Sequence, residues 1–396
     1  MINQFNIKLN FDVKSGSGSI FEIIEFIIKS KFKNVLIVLD KNLEKKKYVI
    51  KFLKQIKSNK YLNTKLYIYS HFGEPTYEFL EQEIGLIRKN KTDVIVGIGG
   101  GSCIDFAKAI ALLITNKKKP IFYRGFPKNL KKPIPIIAVP TTAGTGTEIA
   151  YNAVFISKKD NLKLGINYKE NYPIKSYLDP VLIKGTRHEI IIISAVGALI
   201  RSLDSLTSPY SSFVSRYFSI ISYSLIISVL RKFNIKKNLK INQIIDLQWG
   251  ALFSMMGLSN SSSGPSGSVS YFLSVNHNLP QGLGYGLAGV EFIKKNHLKK
   301  KSIYLDIIKA VYKGKNKTFL DDIDKINKLC LFCLAKIDKT FLTNLDDFQK
   351  NLLNFFKNNP KAIINLNRNN PVKLSLQELK QIFHKIEKKI KTDARF

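Results

Sequence analysis

Two runs in the first quarter of the chain, Asn34–Asp40 (NVLIVLD) and 93–98 (DVIVGI), are apolar almost without a break. A strand with one face in water alternates apolar and polar residues, so runs like these are expected to bury both faces. A sheet covered by helices on each side does that. The flanking segments supply the helices, expected over 20–29, through a Lys-rich stretch ending near Ser58, over 76–90 and over 103–114. Further strands are expected over 5–13, 64–70 and 135–139. This βαβα alternation implies an α/β N-terminal domain built on a parallel, Rossmann-like, doubly wound sheet.

The pattern changes after Asp179-Pro180. Apolar residues then recur at helical spacing over 211–233, 241–258, 305–312, 321–335, 345–357 and 375–391, which makes the second domain all-α. A boundary near Gly185 divides the chain into 1–185 and 186–396. The stretch 257–271 (GLSNSSSGPSGSVSY) reads locally as a flexible linker.

Composition narrows the class. Three cysteines in 396 residues exclude a disulfide scaffold and fit a reducing compartment. The net charge of +34 suggests nucleic acid at first sight, but only eight of the 63 basic residues are Arg. The lysines are spread along the chain with no aromatic-interleaved stripe, so nucleic acid is not the expected partner. The longest apolar candidate, 190–200, stops at Arg201, short of the roughly 20 residues that span a bilayer. Residues 1–14 carry no apolar signal-peptide core. A soluble, cytoplasmic protein without a membrane partner is expected.

Two loops carry chemistry. Gly97-Ile98-Gly99-Gly100-Gly101-Ser102-Cys103-Ile104-Asp105 follows a strand and opens a helix. Its glycines expose backbone N–H groups, and the helix N-terminus favours an anion such as a pyrophosphate. The spacing is not GxGxxG, and taken alone the loop could be a plain strand-to-helix turn. Pro140-Thr141-Thr142-Ala143-Gly144-Thr145-Gly146-Thr147-Glu148 also follows a strand. Its hydroxyls suit phosphate and sugar, or the capping of a turn. Two such loops in one α/β half point to a nucleotide at the carboxyl ends of the strands. Asp40 ends an early strand, where it either accepts hydrogen bonds from a ribose, favouring NAD over NADP, or caps a helix.

GGGSCIDFAKAIA together with PIIAVPTTAGTGTE resembles the iron-containing (group III) alcohol dehydrogenases. The resemblance extends through nearly the whole chain, by Ser15–Ser19, Glu74-Pro75-Thr76, Leu178-Asp179-Pro180 and Asn370-Pro371. Tyr123-Arg124-Gly125, 163–167 and Ser270-Tyr271 are most similar to the branch acting as a 3-deoxy-octulosonate 8-oxidase. The resemblance implies an active site between the two domains, a small-molecule substrate and a homodimer. It places Asp40, Glu74, Pro75, Thr76, Gly99, Gly100, Gly101, Ser102, Asp105, Thr141, Thr142, Thr145 and Lys163 on segments that contact NAD.

The family's metal is held by one Asp and three His. At those positions this sequence has Gly197, Arg201, Gly267 and Gln281. Gly offers no side chain, Arg remains protonated and Gln alone is a poor ligand, so no metal is expected. The register through the Ser-rich stretch makes it core-lining rather than linker, with Pro265 expected inside a helix and able to bend it. Arg201 then becomes a candidate to stabilise an oxyanion or hold a carboxylate. His277 is a candidate acid/base, set against a bland reading as a loop histidine. Asp204, three residues beyond Arg201, suits an Asp–Arg pair. Cys330 and Cys333 form a CxxC on an apolar helical stretch and are expected in the core.

Three functions follow from these residues. They are a metal-independent NAD-linked oxidoreductase on a polar alcohol or aldehyde such as a sugar or sugar acid, a degenerate homologue that binds nucleotide or a protein partner without turnover, and a non-redox enzyme on the same scaffold.

Overall fold

The protein was analysed as a computed structural model, which describes residues 9–337 and 366–393 together with 348, 350–352 and 354. Its N-terminal part is a six-stranded, wholly parallel sheet. The strands are β1 (Val13–Ser15), β2 (Asn34–Asp40), β3 (Asn63–Tyr69), β4 (Val94–Gly99), β5 (Ile136–Pro140) and β8 (Lys175–Leu178), ordered β1-β8-β5-β4-β2-β3. The two apolar runs are β2 and β4 at its centre. Val35, Ile37 and Leu39 point to one face, onto α1 (Glu22–Lys29) and α2 (Lys47–Lys57). Leu36 and Val38 point to the other, onto α3 (Tyr77–Ile87) and α4 (Gly101–Thr115). Period-two side-chain direction thus turns one continuous apolar run into two cores.

From β2 the chain steps outward to β3 on one side, and from β4 it steps outward through β5 on the other. The carboxyl ends of β2 and β4 therefore flank the point where winding reverses, which is where open α/β sheets bind ligands.

The sequence reading missed an antiparallel hairpin, β6 (Asn152–Ser157) and β7 (Leu162–Asn167), outside the main sheet. It also missed the short β8, and its first strand was placed too early. Residues 5–8 lie outside the described residues, 9–12 are not strand, and β1 begins at Val13 as a three-residue edge strand.

The rest is helical: α5 (His188–Thr207), α6 (Phe213–Leu230), α7 (Ile241–Ser259), α8 (Pro265–His277), α9 (Gln281–Lys299), α10 (Leu305–Tyr312), α11 (Asn316–Lys336) and α12 (Leu376–Asp393). The helix expected over 345–357 lies for the most part outside the described residues. Helix α5 is buried nearly all round, against α6, α7 and α9. It and α6 are long and apolar enough to cross a membrane by length and composition, which the sequence reading excluded; 78% of the apolar window of α5 is buried inside the protein. Pro265 does not bend a helix: it starts α8 at its first turn, where its missing N–H costs nothing. Cys330 and Cys333 are buried core residues, as expected.

Candidate active site

The floor of the site is the carboxyl edge of the sheet. Helix α4 begins directly after β4, with Gly100 as N-cap and no side-chain cap. Its first-turn N–H groups face outward from a partly exposed Gly100-Gly101-Ser102 corner with no acidic residue in the first turn. This is the arrangement that receives an anion. The second loop closes over it. Thr141 N–H donates to the Gly99 carbonyl at 2.9 Å. The Thr142 methyl borders Gly100, and the Thr145 side chain lies so close to Gly101 that a Cβ there would sit 2.5 Å from Thr145 Cγ2. Asp40 ends β2 beside Gly99, and its carboxylate accepts from Asn42 N–H at 2.9 Å and from Asn42 Nδ2 at 3.0 Å. It caps the short turn at 41–43, so the capping alternative is the one the structure contains.

Asp105 faces inward from α4 rather than toward the open corner. It accepts from the Thr147 hydroxyl and from Val154 N–H at 3.0 Å, and it pairs with the fully buried Lys108 at 3.1 Å. Lys108 in turn donates to the Thr147 and Ala150 carbonyls at 3.1 and 3.2 Å. Burial lowers the Lys108 ammonium and the Asp105 carboxylate opposes that. The role visible for Asp105 is thus to anchor the Thr loop and the hairpin to α4.

One wall comes from the hairpin. Lys163 on β7, with a side chain 1% exposed, pairs with Glu74 at 3.0 Å and donates to Gln281 Oε1 at 2.9 Å. Its ammonium also lies 5.2 Å from the centroid of the Tyr271 ring. Pro75 offers its carbonyl to Ile156 N–H at 2.9 Å, and Thr76 caps α3 through Phe79 N–H at 3.1 Å. Glu74, Pro75 and Thr76 therefore fasten the hairpin to the sheet, and Lys163 ties both to the helical region.

The opposite wall is helical. Arg201 on α5 is only 8% exposed. Its Nη1 donates to the Thr145 carbonyl at 2.8 Å, and its guanidinium lies 5.8 Å from the centroid of Tyr285 on α9. Burial raises the Tyr285 phenol, and Arg201 draws it back. The expected Asp204–Arg201 pair does not form. Arg201 reaches across to the Thr loop, whereas Asp204 accepts from Ser266 Oγ at 3.1 Å and its Oδ2 is buried without a hydrogen-bond partner. Burial pushes Asp204 up to about 7, against the pull of Ser266 and Arg201. Glu148, at the end of the Thr loop, is likewise pushed up to about 7 by burial, against Lys108 and Arg201. Arg201 is thus a buried cation flanked by two carboxyls that readily hold protons near neutrality.

The other three positions that the sequence resemblance sets at metal ligands are taken up by packing or by a hydrogen bond. A Cβ on Gly197 would meet Gly282 Cα at 2.9 Å, because α5 and α9 touch backbone to backbone there. A Cβ on Gly267 would meet the Ser263 hydroxyl at 2.2 Å and the Tyr285 hydroxyl at 2.7 Å. Gln281 already accepts from Lys163. Among the described residues no group of three His, Cys, Asp or Glu converges.

His277 is not part of this group. It is 0% exposed at the end of α8, stacked on Phe348 at 5.1 Å and edge-on to Phe272 at 5.2 Å. The structure therefore places it in an aromatic core rather than in a loop. Cys103 is buried behind the glycine loop, and burial pushes its thiol up. The sequence reading missed Tyr285 and Glu148 as members of the site, and Tyr271 as more than a mark of resemblance. A tyrosine on an apolar helix carries no local signal, whereas Glu148 closing a Thr-Gly loop could have been noticed.

A sequence profile of the iron-containing alcohol dehydrogenases matches residues 12–180. The 4-hydroxybutyrate dehydrogenase of Clostridium kluyveri is 28% identical over 262 residues, 66% of each chain. Alcohol dehydrogenase 4 of Schizosaccharomyces pombe is 33% identical over 193 residues, 49% of this chain and 45% of that one. The matches thus span just under two thirds of the first relative and less than half of the second. The crystal structure of the NADH-dependent butanol dehydrogenase A of Thermotoga maritima superposes with a TM-score of 0.81 at 19% identity, covering 97% of this chain and 98% of that one. The α/β part, residues 12–180, thus matches the iron-containing alcohol dehydrogenases in sequence, and both parts share the fold of a solved alcohol dehydrogenase.

Proposed function

We propose that this protein is an NAD-linked oxidoreductase that works without the family's metal, acting on a polar alcohol or aldehyde such as a sugar or sugar acid. In this reading the division near Gly185 separates a nucleotide-binding part from a helical, substrate-facing part. The observation that carries it is the position of Thr145. Its side chain lies against Gly101 at the open N-terminus of α4, and its carbonyl holds the Arg201 guanidinium. An anion at the helix end and an oxygen at Arg201 would therefore sit on the two sides of one residue. The residues fit a dinucleotide: an uncapped first turn for the pyrophosphate, a Thr-rich loop over it, and Asp40 at the next strand end. NAD is favoured over NADP because Asp40 would repel a 2′-phosphate.

The donor set does not fit the metal. Two glycines without side chains, a guanidinium without a lone pair and an amide oxygen engaged by Lys163 cannot hold iron or zinc in the family's manner. Arg201 takes over the charge. Its side chain is preorganised by Thr145 and Tyr285 and stands in a poorly solvated place, where a fixed cation stabilises a developing oxyanion most strongly. A nicotinamide, when bound, supplies or accepts hydride. The protein's own part is to hold the substrate oxygen on Arg201, with Lys163 beside it, and to exclude water.

The test is a titration with NADH of protein stripped of metal by chelation, followed through Trp249 and cofactor fluorescence, then a screen of sugar acids and aldehydes for metal-independent NADH oxidation. Saturable binding with turnover supports the reading. Absence of binding up to millimolar NADH refutes it.

A further inference from the structure

If hydride chemistry occurs beside Arg201, some group must exchange a proton with the substrate oxygen. His277 is sealed in the aromatic core, and Tyr285 is buried with its ring against the Arg201 guanidinium. Arg201 is a poor proton donor at neutral pH. Tyr271 remains. It lies on α8, one turn beyond Gly267, and is partly exposed. Its hydroxyl makes no hydrogen bond among the described residues.

Its surroundings come from both walls of the site. Lys163 of β7 lies 5.2 Å from the centroid of its ring, and the same ammonium pairs with Glu74 of the β3–α3 loop at 3.0 Å and donates to Gln281 at the start of α9 at 2.9 Å. No other tyrosine described above combines groups of the hairpin, the α/β part and the helical part in this way. Resting on the oxidoreductase reading, we propose that Tyr271 is the catalytic residue that gives its phenolic proton to the substrate oxygen when a carbonyl is reduced.

The step balances as follows. The carbonyl carbon takes the hydride that NADH supplies, the C=O π pair moves onto oxygen, and that oxygen takes the Tyr271 proton. NADH becomes NAD+, the product is an alcohol, and water reprotonates the phenolate, whose charge Lys163 and Arg201 offset. Burial keeps the phenol protonated at neutral pH while Arg201 opposes that. A weak acid of this kind still protonates an alkoxide, which is more basic. The site is accordingly built for reduction.

The experiment compares wild type with Tyr271→Phe, which keeps the ring on Lys163. Both are assayed with NADH against glycolaldehyde and D-glucuronate, and NADH affinity is measured separately through Trp249. The expected result is a fall in kcat of at least 100-fold, NADH affinity within threefold, and loss of the solvent deuterium isotope effect from the residual rate. A fall of less than tenfold overturns the proposal, as does a loss of NADH affinity beyond tenfold, which would make the hydroxyl a cofactor support. Incorporating 3-fluorotyrosine at 271 tests it independently of folding. The more acidic phenol moves the alkaline limb of the pH profile downward, and an unmoved limb overturns the proposal. Wild type that binds NADH yet turns over neither aldehyde removes the oxidoreductase reading itself; an active Tyr271→Phe removes only this step.

Discussion

Asp204 gives the sharpest stability prediction. Its ordinary pKa is 3.8, and in the folded protein burial moves it to about 7. A carboxyl raised on folding binds its proton more tightly in the native state than in the unfolded chain. Its stabilising contribution is therefore complete below pH 3.8 and is lost as pH rises toward 7. Between pH 5 and the folded pKa this amounts to about two pH units at ~1.4 kcal/mol each, or about 3 kcal/mol. The Asp204→Asn variant cannot titrate. Its amide oxygen still accepts from Ser266, and its NH2 replaces the partnerless Oδ2 at a cost of ~1–3 kcal/mol that does not change with pH. The quantity to measure is thus a difference of differences. Urea unfolding of both proteins, followed by Trp249 fluorescence on α7, is carried out at pH 5 and pH 8. Wild type should lose about 3 kcal/mol more than Asp204→Asn over that interval. Glu148 titrates in both proteins and cancels. Equal losses would refute the reasoning and place Asp204 in contact with water.

Three further outcomes follow from the same geometry. Arg201→Leu removes the one preorganised cation at the helical wall, so kcat should fall by about 10²–10³ with NADH affinity within threefold by fluorescence titration. Placing a carboxylate where the sequence resemblance sets a metal ligand, Gly197→Asp, forces a Cβ onto Gly282 Cα and should cost at least about 3 kcal/mol in a urea melt, without conferring iron binding by metal analysis. Lys163→Met cuts the links to Glu74 and Gln281 at once; because Glu74 is partly exposed the stability loss should be roughly 2 kcal/mol, and NADH binding should weaken by more than tenfold.

The parts of this molecule that could be read from the sequence are those where local pattern and tertiary environment agree. Strand β2 was delimited to the residue because a continuous apolar run has one use in a doubly wound sheet. The glycine loop opening α4 was equally plain. Helices α8 and α9 were harder: Gly and Ser are poor helix formers, and only close packing against α5 compensates for them. The β6–β7 hairpin was overlooked although Asn152–Ser157 alternates cleanly, because Lys158–Asn161 separates it from a second strand of similar weakness. The Arg201–Asp204 expectation failed on side-chain direction. Three residues apart on a helix, they are neighbours, yet Arg201 finds a carbonyl across the gap and Asp204 finds a serine. Tyr285 and Tyr271 join the site only through contacts between distant segments, which no local pattern encodes.

Thr145 makes neighbours of Gly101 and Arg201, which the chain keeps 100 residues apart: in the proposed function a cofactor end and a substrate end share a single residue. A ligand that settles on α4 and shifts that residue alters how firmly Arg201 is held, and so alters the affinity for whatever Arg201 grips. Thermodynamic linkage makes this symmetric, so the second ligand changes the grip on the first by the same factor. The coupling between the two ligands is then carried by one hydrogen bond, and calorimetric titration of each in the presence of the other would read its strength.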